Sequence, residues 1–134
     1  MTPLINSPDN QKIEDAFYSR PEWTETLFLL RDIILQAHPA MVQWHKYNAC
    51  FFGIKKNICY LNPKADGSCI DIGFMDGKML TNNHPDLKNF LSGEKLKTVQ
   101  HFKIYPQPLN QQIIDELNYV LEMAITYQLG HKKF

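Results

Sequence analysis

Two periodicities divide the chain. Near the start, Ile13, Ala16 and Phe17 recur at helical steps. Ser7-Pro8-Asp9 opens that helix with a hydroxyl N-cap, a proline at the first helical position and an acid in the first turn. Pro21 stops it, because the residue before a proline is pushed out of the helical region. A second helix begins near Pro21-Glu22. Trp23, Leu27, Leu30, Ile34 and Ala37 form its apolar stripe, Phe28, Ile33 and Leu35 widen it, and His38-Pro39 ends it.

From Val42 the period becomes two, and strands are expected at 42–47, 49–55, 58–62 and 69–75. Lys55-Lys56-Asn57 and Lys64-Ala65-Asp66-Gly67-Ser68 supply the turns, the second with a strong Asp-Gly hairpin signal. Tight turns fix register, and register fixes faces. One face collects Phe52, Ile54, Cys59, Leu61, Ile70, Ile72 and Phe74, all apolar, and is the expected core side. The other collects Phe51, Gly53, Ile58, Tyr60, Cys69, Asp71, Gly73 and Met75, the mixture of a face that is partly wet or covered by a partner. Asp76-Gly77 turns the chain again. A polar connection from Thr81 to Gly93 holds one short helical turn around Pro85 to Leu91. Thr98 to Tyr105 alternates as a last strand, with Phe102 and Ile104 inward, and Pro106 and Pro108 stop it. Asn110 caps a final helix carrying Ile113, Leu117, Val120, Leu121, Ala124 and Ile125. Gly130 ends it, and Lys132-Lys133 suits its negative end. The expected architecture is α+β: an antiparallel sheet of about five strands with three helices packed mainly on one face.

At 134 residues the chain fits a single domain spanning 1–134. Fourteen basic residues balance fourteen acidic ones, without the electrostatic footprint of a nucleic-acid binder. The charges are nonetheless segregated. Six acids against three bases occupy residues 1–32, and nine lysines against five acids occupy 33–109. The start of the sequence lacks the basic, apolar pattern of a signal peptide. Leu27 to Ala37 is interrupted by Arg31 and Asp32, so no membrane span is expected. Cys50, Cys59 and Cys69, an odd number without an export signal, read as reduced, cytoplasmic thiols.

The order of residues Leu29-Leu30-Arg31-Asp32-Ile33-Ile34, then Trp44-His45-Lys46-Tyr47, then Asp71-Ile72-Gly73-Phe74 and Gly77-Lys78-Met79-Leu80 resembles the YdhG-like domain family. Leu91-Ser92-Gly93-Glu94-Lys95 and His101-Phe102-Lys103-Ile104 are similar to its closing strand and helix, so the resemblance spans roughly residues 13–126. It implies a small bacterial α+β domain. Some members are likened to frataxins and proposed as cytoplasmic iron chaperones, so the resemblance implies iron delivery. Frataxin-type binding relies on a strongly acidic ridge, from which this neutral chain departs.

A hard cation would need crowded carboxylates. The candidates are Glu14 and Asp15 with Glu22, Glu25 and Asp32, although acids at helix starts also follow from the macrodipole alone. The cysteines and His45 lack the close spacing of a zinc site. No nucleophile elbow, His-Glu-x-x-His or phosphate loop is present, and His101 reads as a half-buried strand residue, so an enzyme is the third reading, behind a binding or chaperone module and an interaction module. Trp44, His45, Tyr47, Phe51, Tyr60, Asp71 and Met75 on or beside the second sheet face combine aromatic anchors with polar groups, which suits a ligand or a client protein. Two readings stay open, that face exposed for binding or covered by a helix. Pairing of a sheet edge into a homodimer also stays open.

Overall fold

Five strands form one antiparallel meander in the order β1-β2-β3-β4-β5, comprising Val42–Lys46, Ala49–Gly53, Asn57–Pro63, Ile70–Phe74 and Gln100–Ile104. This is a computed structural model, which describes residues 8–94 and 96–130. Ser7, Lys95, His131 and the Lys132-Lys133 tail lie outside the described residues. Four α-helices are present among the described residues: α1 (Pro8–Tyr18), α2 (Thr24–Gln36), α3 (Gly77–Asn83) and α4 (Gln111–Leu129), with a 3₁₀ helix at Pro85–Asn89.

The strand faces follow the register read from the turns. Phe52 pairs with Cys59, Cys59 with Phe74, and Leu61 with Ile72, which in turn pairs with Phe102. These residues share one buried cluster with Ile13, Phe17, Leu27, Leu30 and Ile34 of α1 and α2 and with Leu117, Val120 and Leu121 of α4. Helices therefore pack on this face of the sheet. Phe51 and Cys69, although buried, stand outside that cluster.

The sequence reading needs four corrections. Register shifts between Phe52 and Gly53, so that Gly53 pairs with Asn57 and Ile58 becomes the extra residue of a β-bulge. The bulge sends Ile58 into the helix-side cluster, away from the second face. The segment after Asp76 is a helix, α3, where a turn into a polar connection was expected, because Leu80 and Thr81 bury themselves against the core. The helix count therefore rises from three to four. Tyr47 belongs to a turn rather than to β1. Tyr47 and Asn48 both take left-handed φ values (52° and 58°), making the two-residue hairpin that suits strand twist.

Two polar devices secure the sheet. At the β1 edge, the Asp9 carboxylate of α1 accepts the outward His45 N–H at 3.0 Å, which blunts that edge against stray pairing. At the turn between β2 and β3, the Gln128 Oε1 of α4 accepts from the backbone N–H groups of Ile54, Lys55 and Lys56 (3.2, 2.9 and 3.4 Å). Gln128 Nε2 returns a bond to the Lys56 carbonyl at 3.0 Å. Gly130, at φ 72°, closes α4 just beyond, in a conformation that favours glycine. Gln128→Ala is expected to cost about 1–2 kcal/mol, seen as a lower urea midpoint at unchanged slope. An unmoved midpoint would show that water replaces the clamp at no cost.

Candidate functional site

One cross-strand row runs the width of the second face: Trp44 opposite Phe51, Phe51 opposite Tyr60, Tyr60 opposite Gly73, and Gly73 opposite His101. Residues directly opposite in an antiparallel sheet point to the same side, so the four side chains line up. The Phe51 and Tyr60 rings lie 5.3 Å apart, Tyr47 leans edge-on to Phe51 at 6.2 Å, and Tyr60 meets the His101 ring at 6.5 Å. Such aromatic spacings are favourable beyond their buried area.

Glycine at 73 is what allows the row to close. A Cβ there would stand 2.2 Å from Tyr60 Cζ and 2.6 Å from its hydroxyl, so the phenol ring occupies the space a side chain would fill. The ring thereby reaches over β4, and its hydroxyl lies 3.3 Å from His101 Nε2. Burial, reinforced by the Lys103 and Lys64 charges and opposed by Asp71, lowers the His101 pKa below its ordinary 6.5. The imidazole is therefore neutral at pH 7 and can accept the phenolic proton. Burial raises the Tyr60 pKa, and the Asp71 charge adds to this.

Beside the row lies a charged cluster. Asp71 opposes Lys103 in the register, and its side chain is only 5% exposed although it sits on the face opposite the helix-packed core. Lys103 Nζ donates to it at 2.9 Å, Lys64 Nζ lies 3.8 Å away, and Cys69 Sγ approaches at 3.5 Å. Burial alone would raise the Asp71 pKa. The Lys103 hydrogen bond and charge outweigh it, with help from His101 and Cys69, and hold the carboxyl below the usual range. The same bond raises the Lys103 pKa. Lys46 stands at the opposite end, its ammonium 5.1 Å from the Tyr47 ring centroid.

Trp44, Phe51 and Tyr60 thus meet in the row, Tyr47 flanks it, and Asp71 lies beside it. Met75 sits just past β4 and is half-buried, its N–H bonded to the Ile58 carbonyl. His45 does not join them. It pairs with Cys50 and shares that residue's helix-side face, because strand neighbours alternate. His101, read from the sequence as a half-buried strand residue, Lys103 and Lys64 were not among the expected site residues. Extending the register across β4 to β5 would have found the first two, but the long connection between those strands gives no turn from which to count.

The acids proposed for a metal are dispersed. Glu14 pairs with Arg31 at 3.3 Å, and the Arg31 guanidinium also stacks 4.9 Å from the Phe28 ring. Asp15 accepts from Gln11, and Glu22 pairs with Arg20 at 3.2 Å. Glu22 and Glu25 do line one groove of about 520 Å³ with Trp23, Pro106 and Pro108. Asp32 is exposed. No group of three His, Cys, Asp or Glu arranged to hold a metal occurs among the described residues. Cys50, Cys59 and Cys69 are free and buried, and burial raises the pKa of Cys50 and Cys59, which makes them inert as thiolates. No helix among the described residues is long and apolar enough to cross a membrane.

Fold and face together define an α+β domain with an aromatic sheet face opposite its helix-packed core. No protein-family model matches the chain, and no curated protein or solved structure matches it.

Proposed function

We propose that the protein is a non-catalytic binding domain that holds an acidic, aromatic-bearing segment of a partner protein against its second sheet face. The observation that carries this reading is the row Trp44–Phe51–Tyr60–His101 on a face that the helix-side core does not reach. A row with Phe51 and Tyr60 inside, Trp44 at its β1 end and charges around it has the composition of protein-binding hot spots. The charges select the partner's sign. Lys46, Lys64 and Lys103 border the row, and the acid among them, Asp71, is already engaged by lysine. A second copy of this chain would oppose lysines with lysines, which disfavours self-association through this face. Grooves of about 390 and 520 Å³ lie away from the face, against α4 and at the start of α2, and one of about 290 Å³ meets it only at the β5 edge, at His101 and Lys103, which favours a macromolecular partner over an enclosed small ligand. Iron delivery, implied by the family resemblance, draws less support, because the candidate acids are spread over separate ion pairs.

Titrating ¹⁵N-labelled protein with an amidated hexapeptide of alternating aspartate and phenylalanine tests the reading. Shifts should centre on Phe51, Tyr60, Gly73 and His101, and a lysine–phenylalanine peptide should leave those amides unmoved. Trp44→Ala should weaken binding at least tenfold with the fold intact, roughly 1.4 kcal/mol. Gly73→Val should do the same by displacing the Tyr60 ring, a movable side-chain end, while a β-branched residue suits the strand. Equal response to both peptides, or shifts centred elsewhere, would contradict the proposal.

A further inference from the structure

We infer that the groove along the outer edge of β5 is a second binding site, which captures the C-terminal carboxylate end of an extended peptide. The free edge is short and defined. His101 gives its N–H to the Ser92 carbonyl at 2.7 Å and receives the Ser92 N–H at 2.9 Å, forming a single antiparallel bridge. Along a strand the outward peptide groups alternate, so the next outward N–H and C=O belong to Lys103. β5 is the last strand of the sheet, and among the described residues no strand lies beside it there. Residues 88–91 instead peel away into the 3₁₀ helix, where Phe90 and Leu91 both give their N–H groups to the Leu87 carbonyl. The gap left behind is a groove of about 290 Å³ lined by Lys88, Phe90, Ser92, His101, Lys103 and Tyr105.

Strand direction selects which end of a guest enters. The Ser92 segment runs antiparallel to β5, and a guest continuing its line past Lys103 runs toward Ser92 with its C-terminus leading. Ser92 blocks further pairing, so the guest ends there. Its carboxylate then lies beside exposed Ser92, with Lys88 lining the groove, while Lys103 Nζ stays on Asp71. Glu116 is the acid of the lining and is bound by Gln112 Nε2 at 3.2 Å. A parallel guest would instead bring a cationic N-terminus to the lysines. Two β5 strands pairing with one another would set Lys103 against Lys103 over a single free peptide unit. Main-chain pairing with capture of a chain end is an established recognition mode on such edges. The site borders the aromatic row at His101 but lies along the β5 edge, at the opposite side of the sheet from Trp44 on β1, and does not depend on Trp44.

The probe is acetyl-Ala-Val-Ala-Val as the free acid and as the amide, titrated into ¹⁵N-labelled protein to about 1 mM. The free acid should shift the Ser92, His101 and Lys103 amides and bind at least tenfold more tightly than the amide. Lys88→Glu should weaken it at least fivefold, and Trp44→Ala should leave it unchanged. Equal binding of acid and amide, shifts confined to the Phe51–Tyr60 row, or no shift over this range would overturn the inference.

Discussion

Phe52→Ala is expected to cost about 3–5 kcal/mol, while Phe51→Ala, one residue away, costs about half as much. Both rings are buried, at 0% and 7% exposure. They differ in what buries them. Phe52 is packed in the cluster that α1, α2 and α4 share with the sheet, so its removal leaves a cavity that rigid neighbours on both layers cannot fill. Phe51 is covered by side chains of its own face, Tyr47 and Tyr60 among them, which can settle into the space. For a chain of this size the Phe52 variant should melt roughly 10–25 °C lower, whereas the Phe51 variant keeps its fold and loses the acidic peptide. Equal melting losses would mean that helices cover both faces.

The second large effect is electrostatic, and its sign depends on pH. Lys103→Met should cost about 2–4 kcal/mol at pH 7, because it leaves the buried Asp71 carboxylate with Lys64 at 3.8 Å as its remaining cation. Asp71→Asn should cost only about 1 kcal/mol, since Lys64 and Lys103 are partly exposed and can turn their ammonium groups to water. Replacing both Asp71 and Lys103 by leucine should come close to neutral. In the native protein the folded Asp71 pKa lies below its ordinary 3.8. Its contribution is therefore complete above that value and is lost as pH falls through the folded pKa. His101 acts in the same direction at higher pH. Its folded pKa lies below 6.5, so on acidification the unfolded chain takes up a proton first and stability falls from that point. Urea midpoints should drop in two windows, one below pH 6.5 and one below pH 3.8. His101→Phe should remove the first window alone. In Lys103→Met the acid window should invert, because protonation relieves the unpaired carboxylate. A deficit that stays constant with pH would show that Asp71 is stabilised by something other than Lys103.

Much of the sheet could be read from the chain because its turns are short. The Asp66-Gly67 turn and strict alternation place Leu61, Ile70, Ile72 and Phe74 on one face, and the structure puts them there. Ile58 escaped because a bulge adds a residue without a mark in the sequence. Helix α3 escaped because Gly77-Lys78-Met79-Leu80-Thr81-Asn82-Asn83 has neither the length nor the stripe of an independent helix. Burial of Leu80, Thr81 and the nearby Leu87 holds it. Asp71 and Tyr60 stood out as a polar group and an aromatic on a mixed face. Their partners did not, since Lys103 and His101 lie about thirty and forty residues further along, beyond a connection that hides the register. In the acidic N-terminal third, Glu14 finds its partner Arg31 on the neighbouring helix, while Glu22 and Glu25 line one groove.

The central proposal is that the half-buried Trp44, Tyr60 and His101 of the second sheet face are reachable by solvent and by partners. Relaxation of side-chain protons by a soluble gadolinium chelate measures this directly, residue by residue. Trp44, Tyr60 and His101 should relax strongly, while Phe52 and Phe74 on the opposite face stay protected. Trp44, Tyr60 and His101 as protected as Phe52 would contradict the account.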